Sequence, residues 1–110
     1  MPETTTKVLP VLQAAETIAD LAEAAKLRAH AAPAWEIEEP AEANAVRALY
    51  AAGPLAEYAK SVGDTGEELQ IVLYDLLADL HHLADATGVD WDSANETAHA
   101  RYIEEVRGEL

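Results

Sequence analysis

A chain of 110 residues with 21 acidic and 7 basic side chains carries a formal net charge of -14, and it contains no cysteine. The length suits one domain, and the missing cysteine excludes disulfides and thiolate metal sites and suits a reducing compartment. The acidic balance disfavours direct binding to nucleic acid phosphates and to anionic membranes, because it leaves no basic footprint. We expect a cytoplasmic protein, because no basic signal segment or membrane-length apolar run occurs.

The N-terminal third of the chain predicts a helix followed by an extended connector. We expect residues 1–9 to be flexible and one helix to run from Pro10 to His30, with an apolar stripe of Val11, Ala14, Ile18, Leu21 and Ala25. Two prolines then favour extended backbone over residues 31–40. Trp35 is expected to pack on the bundle, because large aromatics are usually buried. The alternative is an exposed docking peptide, in which a partner binds Trp35, Glu36, Ile37 and Glu38.

The remaining two thirds predict four further helices. Gly53-Pro54 divides a helix over 41–52 from one over 55–62, which Gly63 ends. The longest helix is expected over about 66–87, with Gly88 as its C-terminal cap, and Asp90 caps a last helix over 91–106. The predicted fold is all-α, a compact single-domain bundle of four to five helices with 66–87 as its long central helix.

Leucines recur in the 66–87 helix at alternating spacings of four and three: Leu69, Leu73, Leu76, Leu80 and Leu83. This seam is typical of helix packing. We expect it to form the core of its own bundle, with Leu76 and Leu80 among the most buried residues. Pairing with a second copy or a partner is the alternative. The last helix is expected to turn a second stripe inward, formed by Trp91, Ala94, Ala98, Tyr102 and Val106.

Polar residues border this seam. Asp75, Asp79 and His82 share one helix sector with Glu68, and carboxylates with imidazole suit Mg²⁺, Mn²⁺ or Zn²⁺. A solvated helix face is the favoured interpretation, and a metal site is the alternative. Glu16, Asp20 and Glu23 also share a sector, but it points away from the apolar stripe of their helix, so we expect them to face water.

The segment from Asp75 to Gly88-Val89-Asp90 resembles the second half of the MazG-type, all-α nucleotide pyrophosphohydrolases, in which an ExxD motif leads into a leucine-rich helix and a Gly-[Ile/Val]-Asp turn. The run ETIADLAEAA is similar to the family's EExxE helix, with Glu16 and Asp20 at its first and last acids. The resemblance implies Mg²⁺ or Mn²⁺ bound by these acids, hydrolysis of nucleoside triphosphates, and a dimer. Val72 and Thr17 stand where the family has glutamates.

Three functions remain open. We favour a non-enzymatic protein without a cofactor that acts through protein contacts on a basic or nucleic-acid-binding partner. It would act as an inhibitor or nucleic-acid charge mimic of the kind that phages and mobile elements use. The first alternative is a divergent MazG-like hydrolase that requires Mg²⁺ or Mn²⁺. The second is an assembly subunit that pairs through its leucine-rich helix, for instance as a homodimer.

Overall fold

The computed structural model describes residues 7–109, which form five α-helices and contain no strand. The helices are α1 (Val8–Ala14), α2 (Ile18–Ala25), α3 (Pro40–Val62), α4 (Leu69–Thr87) and α5 (Trp91–Arg107). Short 3₁₀ turns occupy Lys26–His30 and Ala34–Glu36. The predicted all-α bundle of four to five helices is confirmed.

The central helix is α3, which contacts each of the other four α-helices. The prediction that placed the centre at 66–87 was therefore wrong, although a helix lies there. The prediction of a break at Gly53-Pro54 was also wrong, because α3 runs through both residues. An interior proline removes one backbone hydrogen bond. Burial of Leu49, Ala52 and Ala56 on both sides of Pro54 holds the helix together despite that loss.

Two small apolar clusters lie along α3. Val46 and Leu49 in its first half pack with Val8 of α1 and Ala34 of the connector. The second half packs Ala56 and Ala59 against Ile18 of α2 and Val72 of α4. Alanine fills much of the core, and α2 packs on α3 at Gly53, where a Cβ atom would lie at an ordinary contact distance of 3.9 Å from the Cβ of Ala25. The described core is therefore centred on α3 rather than on the leucine-rich helix.

The predicted helix from Pro10 to His30 is broken in the structure. α1 begins before Pro10 and ends at Ala14, and α2 starts again at Ile18. The Thr17 hydroxyl accepts a hydrogen bond from the Asp20 backbone N–H, and the Asp20 carboxylate accepts one from the Thr17 N–H. This reciprocal capping box starts α2 as a separate helix, so the helical segment that begins at Val8 does not continue through Thr17. Val8 is buried, and positions 1–6 lie outside the described residues, so the flexibility expected for residues 1–9 stays a prediction.

The 31–40 connector is extended only at its ends. A 3₁₀ turn interrupts it at Ala34–Glu36, and the Ala34 backbone N–H donates a hydrogen bond to the Tyr50 hydroxyl at 3.0 Å. The side chain of Trp35 is 77% exposed, so the prediction that this residue pins the connector to the bundle was wrong. The half-buried Ile37 packs on the first cluster in its place.

The predicted ends of the last two helices are largely confirmed. Gly88 ends α4 in the left-handed region with a φ of 77°, and the Asp90 carboxylate caps α5 by accepting from the Ser93 N–H. Only glycine adopts such a φ without strain. α4 starts at Leu69 rather than near position 66, and Glu68 occupies the cap position.

Candidate functional site

The outer side of α4 carries an apolar surface that the described chain does not cover. We call Leu73, Leu77, Leu80 and Leu83 the leucine face; these side chains are 40–57% exposed. At 100° per residue they fall within a sector of about 120°. Leu69 and Leu76 fall within the same sector but are half-buried. The two buried residues of α4 are Ala84, inside this sector, and Val72, just beside it. An exposed leucine is ordinary, but four on one sector form a patch.

The prediction that Leu76 and Leu80 are among the most buried residues was wrong. Leu76 is half-buried and Leu80 is 40% exposed. α4 meets α3 through Val72, which lies beside the leucine seam, and through Leu69, the first leucine of the seam, which packs half-buried on the same cluster. Beyond Leu69, no leucine of the seam is buried, and three of the four are exposed. The heptad pattern identified an apolar stripe correctly, but the stripe alone does not say which partner covers it.

The predicted inward stripe of α5 is also mostly exposed. No residue of α5 is buried, Tyr102 is 59% exposed, and only Trp91 of the stripe is half-buried. Polar and stacking contacts attach this helix to the bundle. The Arg47 guanidinium lies 3.0 Å from the Glu105 carboxylate, and the Asn44 side chain donates to the Glu105 carbonyl. At the other end, the rings of Trp91 and His81 stack with centroids 4.7 Å apart.

We call α4 and α5, which are joined by the turn at Gly88, the α4–α5 hairpin. Of the residues in these two helices, only Val72 and Ala84 are buried.

The sequence-predicted metal ligands on α4 contact the end of α3. The Tyr58 hydroxyl donates a hydrogen bond of 2.5 Å to the Asp79 carboxylate, which together with desolvation raises the pKa of Tyr58 to about 12. A hydrogen bond with Asp64, with desolvation and repulsion from Asp64 and Asp79, raises the pKa of Asp75. Asp75, which is half-buried, and Asp79, which is exposed, thus contact α3 and its following turn, and the interpretation of this strip as a solvated face stays a prediction.

His82 is exposed and does not complete a metal site with these two carboxylates. Within residues 7–109, no three His, Asp or Glu side chains are grouped closely enough to hold a metal ion. Glu16 is exposed, as expected. Asp20 serves the cap of α2, and the backbone N–H groups of Glu16 and Thr17 lower its pKa by hydrogen bonding to the carboxylate. Metal binding stays a prediction that requires a further ligand source, such as a second chain.

The second predicted binding segment borders a cavity of about 410 Å³. Trp35, Glu36, Ile37 and Glu38 line it together with the ion-paired Arg47 and Glu105. The exposed indole at this position fits the alternative of an exposed docking segment better than the packing interpretation. Tryptophan and arginine are enriched among residues that dominate binding energy at interfaces.

Sequence reasoning missed the exposure of the leucine face, and one signal could have indicated it. The last helix has few large apolar residues, so it cannot cover a leucine seam on its neighbour. No protein-family model, curated protein or solved structure matches this chain significantly. No helix within residues 7–109 is long and apolar enough to span a membrane.

Proposed function

We propose that this protein is a non-enzymatic binding protein that acts through protein–protein contacts made by the leucine face of α4. The observation that carries the proposal is the exposure of four leucines on one sector of a well-formed helix. Large apolar patches on small proteins mark interaction sites, because exposing them to water costs free energy that a partner recovers. The neighbouring α5, which buries no side chain, offers further surface beside it.

Charge mimicry of nucleic acid is the second candidate, and the distribution of charge favours it. Residues 64–109 contain twelve acidic residues against two arginines, whereas residues 1–63 contain nine acidic and five basic residues. An acidic surface of this kind is attracted to basic clefts and would inhibit a nucleic-acid-binding protein by competition. Charge mimicry alone does not explain the exposed leucine face, so we rank charge mimicry second. For either function, we propose that the protein acts in the cytoplasm.

Site-specific photo-crosslinking in the cells that express the chain tests this proposal. A benzophenone amino acid at Leu80 is expected to give a discrete covalent adduct with a protein. The same group at Ala22, an exposed position on α2, serves as the matched control and is expected to give none. Adducts that are equal at both positions, or absent at both, would overturn the proposal. An adduct with a second copy of the chain would support pairing through the leucine-rich helix.

A further inference from the structure

The leucine face has the pattern of one side of a helix–helix interface. Leu73, Leu77, Leu80 and Leu83 follow each other at spacings of four, three and three residues. Over these positions the helix rises about 15 Å, or nearly three turns. An amphipathic helix docks on such a surface with apolar side chains spaced by three and four residues. A ligand pocket is not needed for this mode of binding, because the partner helix lies along the face.

The charge around the face identifies the chemistry of that partner helix. No acidic residue lies in the sector of the four leucines; Asp75, Asp79 and Asp85 of α4 lie outside it. Of the twelve acidic residues over 64–109, one forms an ion pair with an arginine or lysine within the described chain, Glu105 with Arg47. The Asp85 carboxylate lies 3.9 Å from the His81 imidazole. The apolar strip is therefore set in a region whose formal net charge is -10 without histidine.

We propose that the leucine face binds an amphipathic helix of a basic protein, with the partner's apolar residues on the leucines and its lysines or arginines towards the acidic surroundings. This inference rests on the proposed function and names its partner class. A second copy of the chain is the poorer occupant, because a two-fold interface would bring two segments of net charge -10 together. Complementary charge instead speeds association and excludes acidic competitors.

Three synthetic peptides of about 21 residues, or three heptads, test the inference on the full chain. The first has leucine at the a and d positions and lysine elsewhere. The second has the same leucines with glutamate elsewhere, and the third keeps the lysines and replaces leucine by serine. Binding is measured by calorimetry at low and at moderate salt. The Leu/Lys peptide is expected to bind at least about tenfold more tightly than either control, since only it matches both surface and charge.

Two variants show where the peptide binds. Leu73→Ser with Leu80→Ser leaves the net charge unchanged and should weaken Leu/Lys binding about tenfold or more. Val62→Ser, at an exposed apolar position on α3, is the matched control and should leave the affinity unchanged. Circular dichroism of both variants confirms that they remain folded.

The outcomes separate this inference from the proposed function. Equal binding of the Leu/Lys and Leu/Glu peptides would overturn the basic partner while leaving the leucine face as a binding surface. Equal binding of the Leu/Lys and Ser/Lys peptides, unaffected by the leucine substitutions, would show that charge alone acts and would overturn the inference. A dimer in sedimentation equilibrium that the double serine variant abolishes would assign the face to a second copy, which also overturns it.

Discussion

Leu49→Ala and Leu80→Ala distinguish the buried core from the leucine face. Leu49 is 1% exposed and lies in the cluster of α1, the connector and α3. Truncating a fully buried leucine removes its packing and leaves a cavity, which costs about 2–5 kcal/mol of unfolding free energy. Leu80 is already 40% exposed. Its truncation removes less buried area and leaves no closed cavity, so we expect a cost of about 1 kcal/mol or less.

The assay is urea denaturation followed by circular dichroism, with the slope of the transition checked for each variant. It is repeated at two protein concentrations well apart. Leu49→Ala should shift the midpoint strongly and equally at both concentrations, while Leu80→Ala should shift it little. Equal large losses for both variants at every concentration would refute the reasoning, because Leu80 would then be part of the chain's own core. A loss at Leu80 that grows with concentration would instead reveal a self-associated face.

Three further results are expected. In an alkaline absorbance titration, one of the four tyrosines should ionise near pH 12, and Asp79→Ala should return the pKa of that tyrosine towards 10. Because folding raises the pKa of Tyr58, the stabilisation that its hydrogen bond contributes is present below pH 10 and is lost as the pH rises through 12. Asp75→Asn should raise the denaturation midpoint at neutral pH, because it removes a carboxylate whose charged form the folded state disfavours. This gain should vanish as the pH falls through the raised pKa of Asp75, where the wild-type carboxyl group is protonated. A gain that does not change with pH would argue against the contact with Asp64. Mn²⁺ should raise the melting temperature no more than an equal ionic strength of Na⁺; a saturable rise that Asp75→Asn removes would instead support the MazG-like alternative.

The sequence predicted helix content and helix ends better than it predicted burial. Helix ends at Gly63, Gly88 and Asp90 depend on residues close in sequence. Tertiary packing does not alter these helix ends, so they could be predicted from the sequence. The break at Thr17 was also local, but it was missed because aspartate three residues after threonine is a weaker capping signal than glutamate. The continuity of α3 through Pro54 could not be read locally, since it depends on contacts with α2 and α4.

The candidate site shows the same division. Helical periodicity placed the five leucines of α4 on one stripe, and that grouping is correct. The direction of the stripe was wrong, because it depends on how α4 is rotated against α3. Val72, whose side chain is fully buried, sets that rotation. A valine at the edge of a leucine seam gives no sequence signal that it will be the most buried contact with the neighbouring helix, while most of the leucines stay exposed.

Because α5 is weakly attached to the bundle, we expect it to open more readily than the core helix α3. α5 has 17 residues and buries none of them, so its opening should cost less free energy than opening α3, which carries both core clusters. Amide hydrogen exchange should therefore be faster in α5 than in α3. Binding of the Leu/Lys peptide stabilises the hairpin in its folded form, so exchange in α4 and α5 should slow while exchange near Val46 and Leu49 changes less. Uniform slowing across the chain would mean that the hairpin and the core open together, and that the exposed leucines belong to one cooperative unit with α3.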